Sequence, residues 1–452
     1  MTSLERRATL SLASIYALRM LGLFMILPVL SLFSEQLEGA TPLLIGLAIS
    51  IYGLSQALLQ IPFGLLSDRF GRKKIIIIGL ILFSAGSLVA AVSTTIYGVL
   101  LGRALQGCGA IAAAIMALVA DLTQEVHRTK AMATIGASIG ISFGIAITLG
   151  PIIAGFIGIQ GIFYLTAVLA LLAILVVLFI VPNPQKSIVH RDAQLVPTQI
   201  KNVLKNTDLL RLNYGIFILH LILTASFVVL PLLIRDAGLA AEDHWQVYLP
   251  ILVTSMIVIV PFIILAEKKR QMKVVFIGAI LTLVIANTAL SYFYHDLTLL
   301  IGLLWLFFCG FNLLEATLPS LISKTAPADL KGTAMGAYSS SQFMGAFLGG
   351  VTGGWLYGEY GAQTVFLSTA AAALSWAFIA LFMRPPRYLA NLLISLEEIN
   401  HQQAEEFSNE LLAITGISEA RLHFEENTAY LKVDNQLLNK TQLQEMLSRW
   451  AR

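Results

Sequence analysis

Gly64-Leu65-Leu66-Ser67-Asp68-Arg69-Phe70-Gly71-Arg72-Lys73-Lys74 is the most informative stretch of this 452-residue chain. It separates two apolar runs, near residues 43–66 and 75–94, by a few positions rich in charge. Each run has about the 20 residues that carry a helix across a hydrocarbon core roughly 30 Å thick. The stretch therefore reads as a tight loop between two antiparallel membrane helices. Gly64 permits close backbone approach, and Gly71 gives the turn access to positive φ. Asp68 is placed to cap the next helix or to pair with an arginine. The cluster Arg69, Arg72, Lys73 and Lys74 marks the cytoplasmic side, where basic residues of membrane proteins collect.

The same pattern continues in both directions. Apolar runs lie near 9–33, 43–66, 75–94, 97–120, 131–157 and 161–181, then near 212–234, 246–265, 274–294, 297–322, 332–357 and 363–383. Hydrophobic residues make up 57% of the chain and charged ones 12%. A soluble protein carries about 25% charged residues, so a soluble enzyme, a nucleic-acid binder and a disulfide scaffold are all excluded as readings. Alternate breaks hold almost all the basic residues outside the tail, while the opposite breaks hold only Arg235 beside several acids. That bias places both termini in the cytoplasm of a multi-pass protein with an even number of spans. The first run carries Arg19 and ends without a small-x-small cleavage site, so no signal peptide is expected. Cys108 and Cys309 sit inside apolar runs and read as small packing residues.

An internal repeat divides the body. Pro62-Phe63-Gly64-Leu65-Leu66-Ser67-Asp68-Arg69 aligns with Pro261-Phe262-Ile263-Ile264-Leu265-Ala266-Glu267-Lys268, 199 residues on. Arg128-Thr129-Lys130-Ala131-Met132 matches Lys331-Gly332-Thr333-Ala334-Met335 at an offset of 203. Such near-constant offsets indicate a duplicated six-helix unit, an architecture of secondary transporters. The expected fold is an all-α membrane protein of twelve transmembrane helices in two six-helix pseudo-repeats, with a small α+β domain after it. The divisions are 1–181, a cytoplasmic linker 182–211, 212–386 and a tail 387–452, set off where Pro385-Pro386 ends the last apolar run. In the tail, a strand over Leu389–Leu396, a helix over Gln402–Ile414 closed by Gly416, strands over 421–425 and 428–433 around a Glu426-Asn427 turn, and a helix over Thr441–Trp450 give the order βαββα. That is a ferredoxin-like order lacking its fourth strand. Gly416-Ile417-Ser418-Glu419-Ala420 resembles small heavy-metal-associated domains; those bind through paired cysteines, which the tail lacks, so no metal is expected. His401 and His423 read as surface residues.

These residues carry a resemblance to the major facilitator superfamily across the whole body. The loop 64–74 is similar to its motif A, and Arg103-Ala104-Leu105-Gln106-Gly107 to its motif B. Gly136, Gly140 and Gly144, followed by Gly150-Pro151 and Gly155, resemble motif C of its drug:proton antiporters, with Ala154 in place of one of two paired glycines. A body of this kind with a ferredoxin-like tail is similar to one group of efflux proteins in the superfamily. The resemblance implies a gating cluster of Gly64, Asp68, Arg69, Gly71, Arg72, Asp121 and Arg128, with Asp68 and Asp121 pairing with Arg69 or Arg72 to lock the halves when the cavity faces outward. Gly140, Gly144, Gly150, Pro151 and Gly155 would form a smooth, kinked packing ridge. The second copy of motif A has Ile263 and Arg270 where the first has glycine, so gating should rest on the first half.

Within the spans ionisable groups are few: Arg19, Arg103, His220 and Glu315. A charge there is costly unless paired or hydrated, which makes each a functional candidate. Glu315 and His220 are expected to carry protons, with Arg19 or Arg103 tuning them or binding an anionic substrate. Gln106 and Asn312 are further candidates, and Tyr52, Gln56, Asn213, Tyr338 and Gln342 are candidate cavity-lining residues. No nucleotide-binding loop or metal-spaced cluster occurs. The expected activity is proton-coupled export of small amphipathic molecules across a bacterial inner membrane, by a monomer with no cofactor beyond the proton gradient. The alternatives are a transporter of one metabolite, such as a sugar or amino acid, and a transporter-like regulator acting through its tail.

Overall fold

A computed structural model describes residues 1–34, 37–183, 199–327, 330–385, 389–396, 403–424, 428–434 and 436–450. Half of the expected linker, the start of the tail at 387, His401 and the Glu426-Asn427 turn lie outside the described residues.

The first half is built from α1 (Ser3–Phe33), α2 (Pro42–Phe70), α3 (Arg72–Ala91), α4 (Ile96–Cys108), α5 (Ala112–Leu122) and α6 (Glu125–Phe179). A short α7 (Ile200–Lys205) precedes the second half: α8 (Thr207–Asp236), α9 (Trp245–Lys268), α10 (Met272–Phe293), α11 (Leu297–Thr325), α12 (Lys331–Tyr360) and α13 (Ala362–Leu381). Two features reconcile these with twelve spans. α4 and α5 are one span interrupted at Gly109. The 55 residues of α6 would reach about 80 Å as one straight helix, but Gly158, at φ 68° and ψ 180°, breaks it into two spans. The break falls where the apolar runs 131–157 and 161–181 part.

Side chains cap the starts of several spans. Thr2 and Glu5 form a capping box at α1, Thr41 caps α2 ahead of Pro42, and Asp296 caps α11, each giving orphan amides an acceptor. Gly71 takes φ 98° between α2 and α3, as the sequence expects. At the matching turn between α9 and α10 stands Arg270, the one described non-glycine residue at positive φ, 55°. An arginine there is strained by roughly 1–3 kcal/mol, and such strain persists when neighbours fix it.

The neighbour is the tail. Its strands β1 (Ala390–Ser395), β2 (Ile417–His423) and β3 (Thr428–Val433) form an antiparallel sheet in the order β1-β3-β2, with α14 (Ala404–Ala413) and α15 (Lys440–Trp450) covering one face. The order βαββα is the expected one, but β2 starts four residues earlier than the alternation suggested. Phe407, Leu411, Leu431 and Met446 fill the core between sheet and helices. Lys432 is buried on the opposite face, where its Nζ donates to the carbonyls of Ser323 and Lys324, both at 2.9 Å, at the end of α11. Each oxygen of the Asp434 carboxylate accepts from Arg270 Nη2, at 2.8 and 3.0 Å, and Oδ1 also accepts from the Gln436 backbone N–H at 3.0 Å. A cation on helix-terminal carbonyls is a favourable pairing with the helix dipole. The tail thus seats on the second half, through the copy of the loop that has lost its glycines.

The Arg270 hydrogen bond holds the Asp434 carboxyl below its ordinary value, and burial pushes the Lys432 amine down from 10.5 to about 8. Between those two values a released tail binds more protons than a docked one, so docking strengthens as pH rises through that window. A distance measurement between spin labels on tail and body is expected to show a larger docked fraction at the alkaline end of the window. A flat profile would mean that Lys432 is not buried by docking.

Candidate functional site

The seam between the halves decides what the spans can do. α2 packs along α12 where Gly46 and Gly53 face Gly350 and Phe343, and Gly354 lies against the backbone of Pro42. Ser31 Oγ of α1 donates to the Phe227 carbonyl of α8 at 3.1 Å. Gly144 meets Leu252, and Gly155 meets Glu242. All these contacts lie at mid-height or towards the end opposite the basic loops. At the basic end, Gly136 and Gly140 of the same stripe meet nothing within 4 Å among the described residues. The halves therefore touch at one end and part at the other.

This corrects the packing expected of the motif C glycines. Gly140, Gly144 and Gly155 are not tightly packed; only Gly150 is, against the Met25 backbone 2.9 Å from where its Cβ would stand. Their stripe runs along the seam, and its basic-end part is uncovered in this arrangement. The tight ridge is instead on α12, where a Cβ at Gly345, Gly349 or Gly353 would strike the backbone of Phe217, Leu221 or Ala225 in α8.

On the second half, Glu315 of α11 and His220 of α8, the two residues expected to carry protons, lie side by side. His220 Nε2 lies 3.9 Å from Glu315 Oε2. Nδ1 contacts the Ile216 carbonyl at 3.3 Å and Nε2 contacts Gln342 Nε2 at 2.8 Å. Those contacts fit a neutral ring with its proton on Nδ1, Nε2 accepting from the Gln342 amide. Glu315 Oε2 is buried and has no hydrogen-bond partner among the described residues, while its side chain as a whole is 40% exposed. The Tyr338 hydroxyl is also buried and unpartnered, and Tyr338 faces the same carboxylate. One turn away on α11, Asn312 donates to Ser255 Oγ at 2.9 Å. Ser255 stood out in no sequence pattern, because a serine amid apolar residues of a span carries no periodic signal.

On the first half, two buried guanidiniums face one ring. Arg103 Cζ lies 5.3 Å and Arg19 Cζ 5.8 Å from the centroid of Tyr52. Arg103 is fully engaged: Nε and Nη2 donate to the carbonyls of Ala48 and Ile49 at 3.1 and 3.0 Å, and Nη1 to Gln106 Oε1 at 2.8 Å. Gln106 in turn donates to Ser87 Oγ at 2.7 Å. This is a brace between α4, α2 and α3. Arg19 donates through Nη2 alone, to the Tyr52 hydroxyl and to Gln56 Oε1. Neither guanidinium touches Glu315 or His220, so direct tuning of the proton pair by Arg19 or Arg103 is not what the geometry provides.

The motif A cluster is assembled within the first half. Arg72 bridges Asp68 and Asp121, with Nε 3.2 Å from Asp121 Oδ2, and also donates to Ser67 Oγ at 2.9 Å. Arg72 rather than Arg69 makes both pairs, Arg69 lying over the ring of Phe70. Asp68 does not cap α3, whose first turn has no side-chain cap; the arginine takes its carboxylate instead. Arg128 is buried at the head of α6, and a Cβ on Gly64 would press on Ala113 at 3.3 Å. No described contact of Asp68, Arg69 or Arg72 crosses to the second half, so the expected lock between halves is not engaged in this state.

A family model described as Major Facilitator Superfamily matches residues 12–350 and 273–399. Over 447 residues, 99% of this chain and 98% of the other, it is 47% identical to the inner membrane transport protein YajR of Escherichia coli strain K12. The chain belongs to the major facilitator superfamily. As a member it is a secondary transporter, embedded in a membrane and moving a small-molecule substrate, and not an enzyme. Multidrug resistance protein 2 of Bacillus subtilis strain 168 is 31% identical over 75% of this chain and 85% of that one. Among solved structures, a bacterial homologue of the human lysosomal transporter Spinster, inward-facing and occupied, has the same fold: TM-score 0.71 at 14% identity, over 85% of this chain and 97% of that one.

Proposed function

We propose that this superfamily member is a proton-coupled exporter of small amphipathic molecules across a bacterial inner membrane. Its basic loops, both termini and the tail lie in the cytoplasm, and the state described above is open to that side. The observation that carries the reading is the Glu315–His220 pair. An acid with a buried, unpartnered oxygen, 3.9 Å from a neutral imidazole and still partly open to the parted end, is a proton acceptor with an entry route. A static ion pair would sit closer and keep both oxygens engaged. Likeness to a multidrug resistance protein supports efflux as the direction. The protein works as a monomer, with the proton gradient as its energy source and no bound cofactor.

The test is dequenching of a pH dye in proteoliposomes, run over a panel of amphipathic drugs and, separately, of sugars and amino acids. Proton movement driven by several drugs supports export of amphipaths. A response to one metabolite alone, or none, sinks it. The gating cluster has its own test. Removing the Asp68 carboxylate leaves Arg72 with Asp121 as its one carboxylate, beside Ser67, so its two arrangements lose their balance. Asp68→Ala is expected to abolish transport with normal membrane insertion; unchanged transport would remove the cluster from the mechanism.

A further inference from the structure

Arg19 is fully buried, and among the described residues no carboxylate contacts it. A guanidinium in the membrane interior is tolerated when oxygen acceptors or an anion replace its water. Arg103 has acceptors on all three of its nitrogens. Arg19 uses one, Nη2, while Nε and Nη1 have no partner. Three N–H groups therefore have no acceptor among the described residues, and Arg103, with its Cζ 5.3 Å from the Tyr52 centroid, adds a second positive charge nearby. The local balance is an excess of positive charge with donors to spare.

The surroundings are aromatic. Arg19 Cζ is 5.7 Å from the Phe83 centroid, and the Tyr52 ring meets both Phe83 and, across the seam, Phe343 of α12, at 6.4 Å each. Tyr16 lies one turn before Arg19 on α1, also buried. Tyr52 and Phe343 belong to opposite halves, so motion of the halves parts these two rings and opens the aromatic cluster around Arg19.

We infer that Arg19 receives the anionic head group of an aromatic or apolar substrate, with Tyr16, Tyr52, Phe83 and Phe343 around its body. The inference rests on the chain being a transporter and not on proton coupling. Arg103, spent on backbone carbonyls, does not take the anion.

The experiment measures equilibrium binding to the full chain in lipid nanodiscs, without a gradient. The probes are 2-naphthalenesulfonate and its cationic counterpart 2-naphthylmethylammonium. Binding of the sulfonate should be at least about tenfold tighter than that of the ammonium, a difference of about 1.4 kcal/mol. Arg19→Gln should erase the preference, and Arg19→Lys, which keeps the charge, should retain it. Glu315→Gln should bind the sulfonate as the parent does, which separates this inference from the proton-pair reading. If Arg19→Gln fails to fold, a folded Arg19→Lys decides: a retained preference supports the site and a lost one overturns it. Equal affinity for the two probes, or full sulfonate affinity in Arg19→Gln, overturns it as well. So does competition by chloride as effective as that by the sulfonate, which would mean a site for a small inorganic ion.

Discussion

Replacing Glu315 by glutamine is expected to abolish substrate-driven proton movement, by about 100-fold or more, the scale of losing a positioned acid–base group. The amide preserves the size of the side chain and its place beside His220, so the α8–α11 packing stays intact. What it removes is the ability to release a proton to the open end. Exchange of substrate against substrate needs no net proton transfer, and should survive. Glutamine also mimics the protonated acid, so the variant should favour whichever arrangement of the halves the protonated carboxyl favours. His220→Ala should act less severely: the ring is the partner, and water can replace it at a site whose side chain is already 40% exposed. Undiminished proton movement in the Glu315 variant would refute the coupling role outright.

How much of this was legible beforehand differs from element to element, for physical reasons. The spans were readable because a bilayer demands about 20 apolar residues per crossing, a signal strong enough to survive the merging of two spans into the long α6. Gly71 was readable because positive φ is a property of the residue itself. Arg270 was not, because its left-handed turn is held by Asp434 from a separate domain, some 160 residues away in sequence. Scarcity made His220 and Glu315 candidates, since few groups in the spans can titrate, but their adjacency was hidden, because one sequence does not fix which helix faces meet. The different fates of Arg19 and Arg103 were hidden, since both are lone arginines in apolar runs. Only the position of the Ala48 and Ile49 carbonyls shows that one is a brace and the other is left with spare donors. The glycine stripes misled for a related reason. Four-residue spacing shows that a helix face is smooth, but not whether a neighbour lies against it, and in a transporter that changes with state.

That last point yields the second large expected effect, at Gly350. A Cβ there would strike the Ser50 side chain and the Gly46 carbonyl, both on α2. The glycine is helical, so a larger residue meets no backbone strain; its cost appears only when the halves close at this end. Overpacking costs about 1–3 kcal/mol per site, enough to shift a two-state equilibrium by about 5- to 150-fold. Gly350→Ala should therefore slow transport moderately, and Gly350→Val should stop it, with both variants folded, because packing inside each half is untouched. The protein should then rest with the α2–α12 seam open. A cysteine introduced at Ser50, buried in the closed seam, should react with a membrane-impermeant thiol reagent in the valine variant and not in the parent. The same reasoning predicts asymmetry. Gly140→Ala, on a stripe that meets nothing here, should leave this closed seam unaffected and should hinder only the opposite closure, at the basic end. If Gly350→Val and Gly140→Ala shifted labelling at position 50 in the same direction, the seam could not be alternating between the two ends.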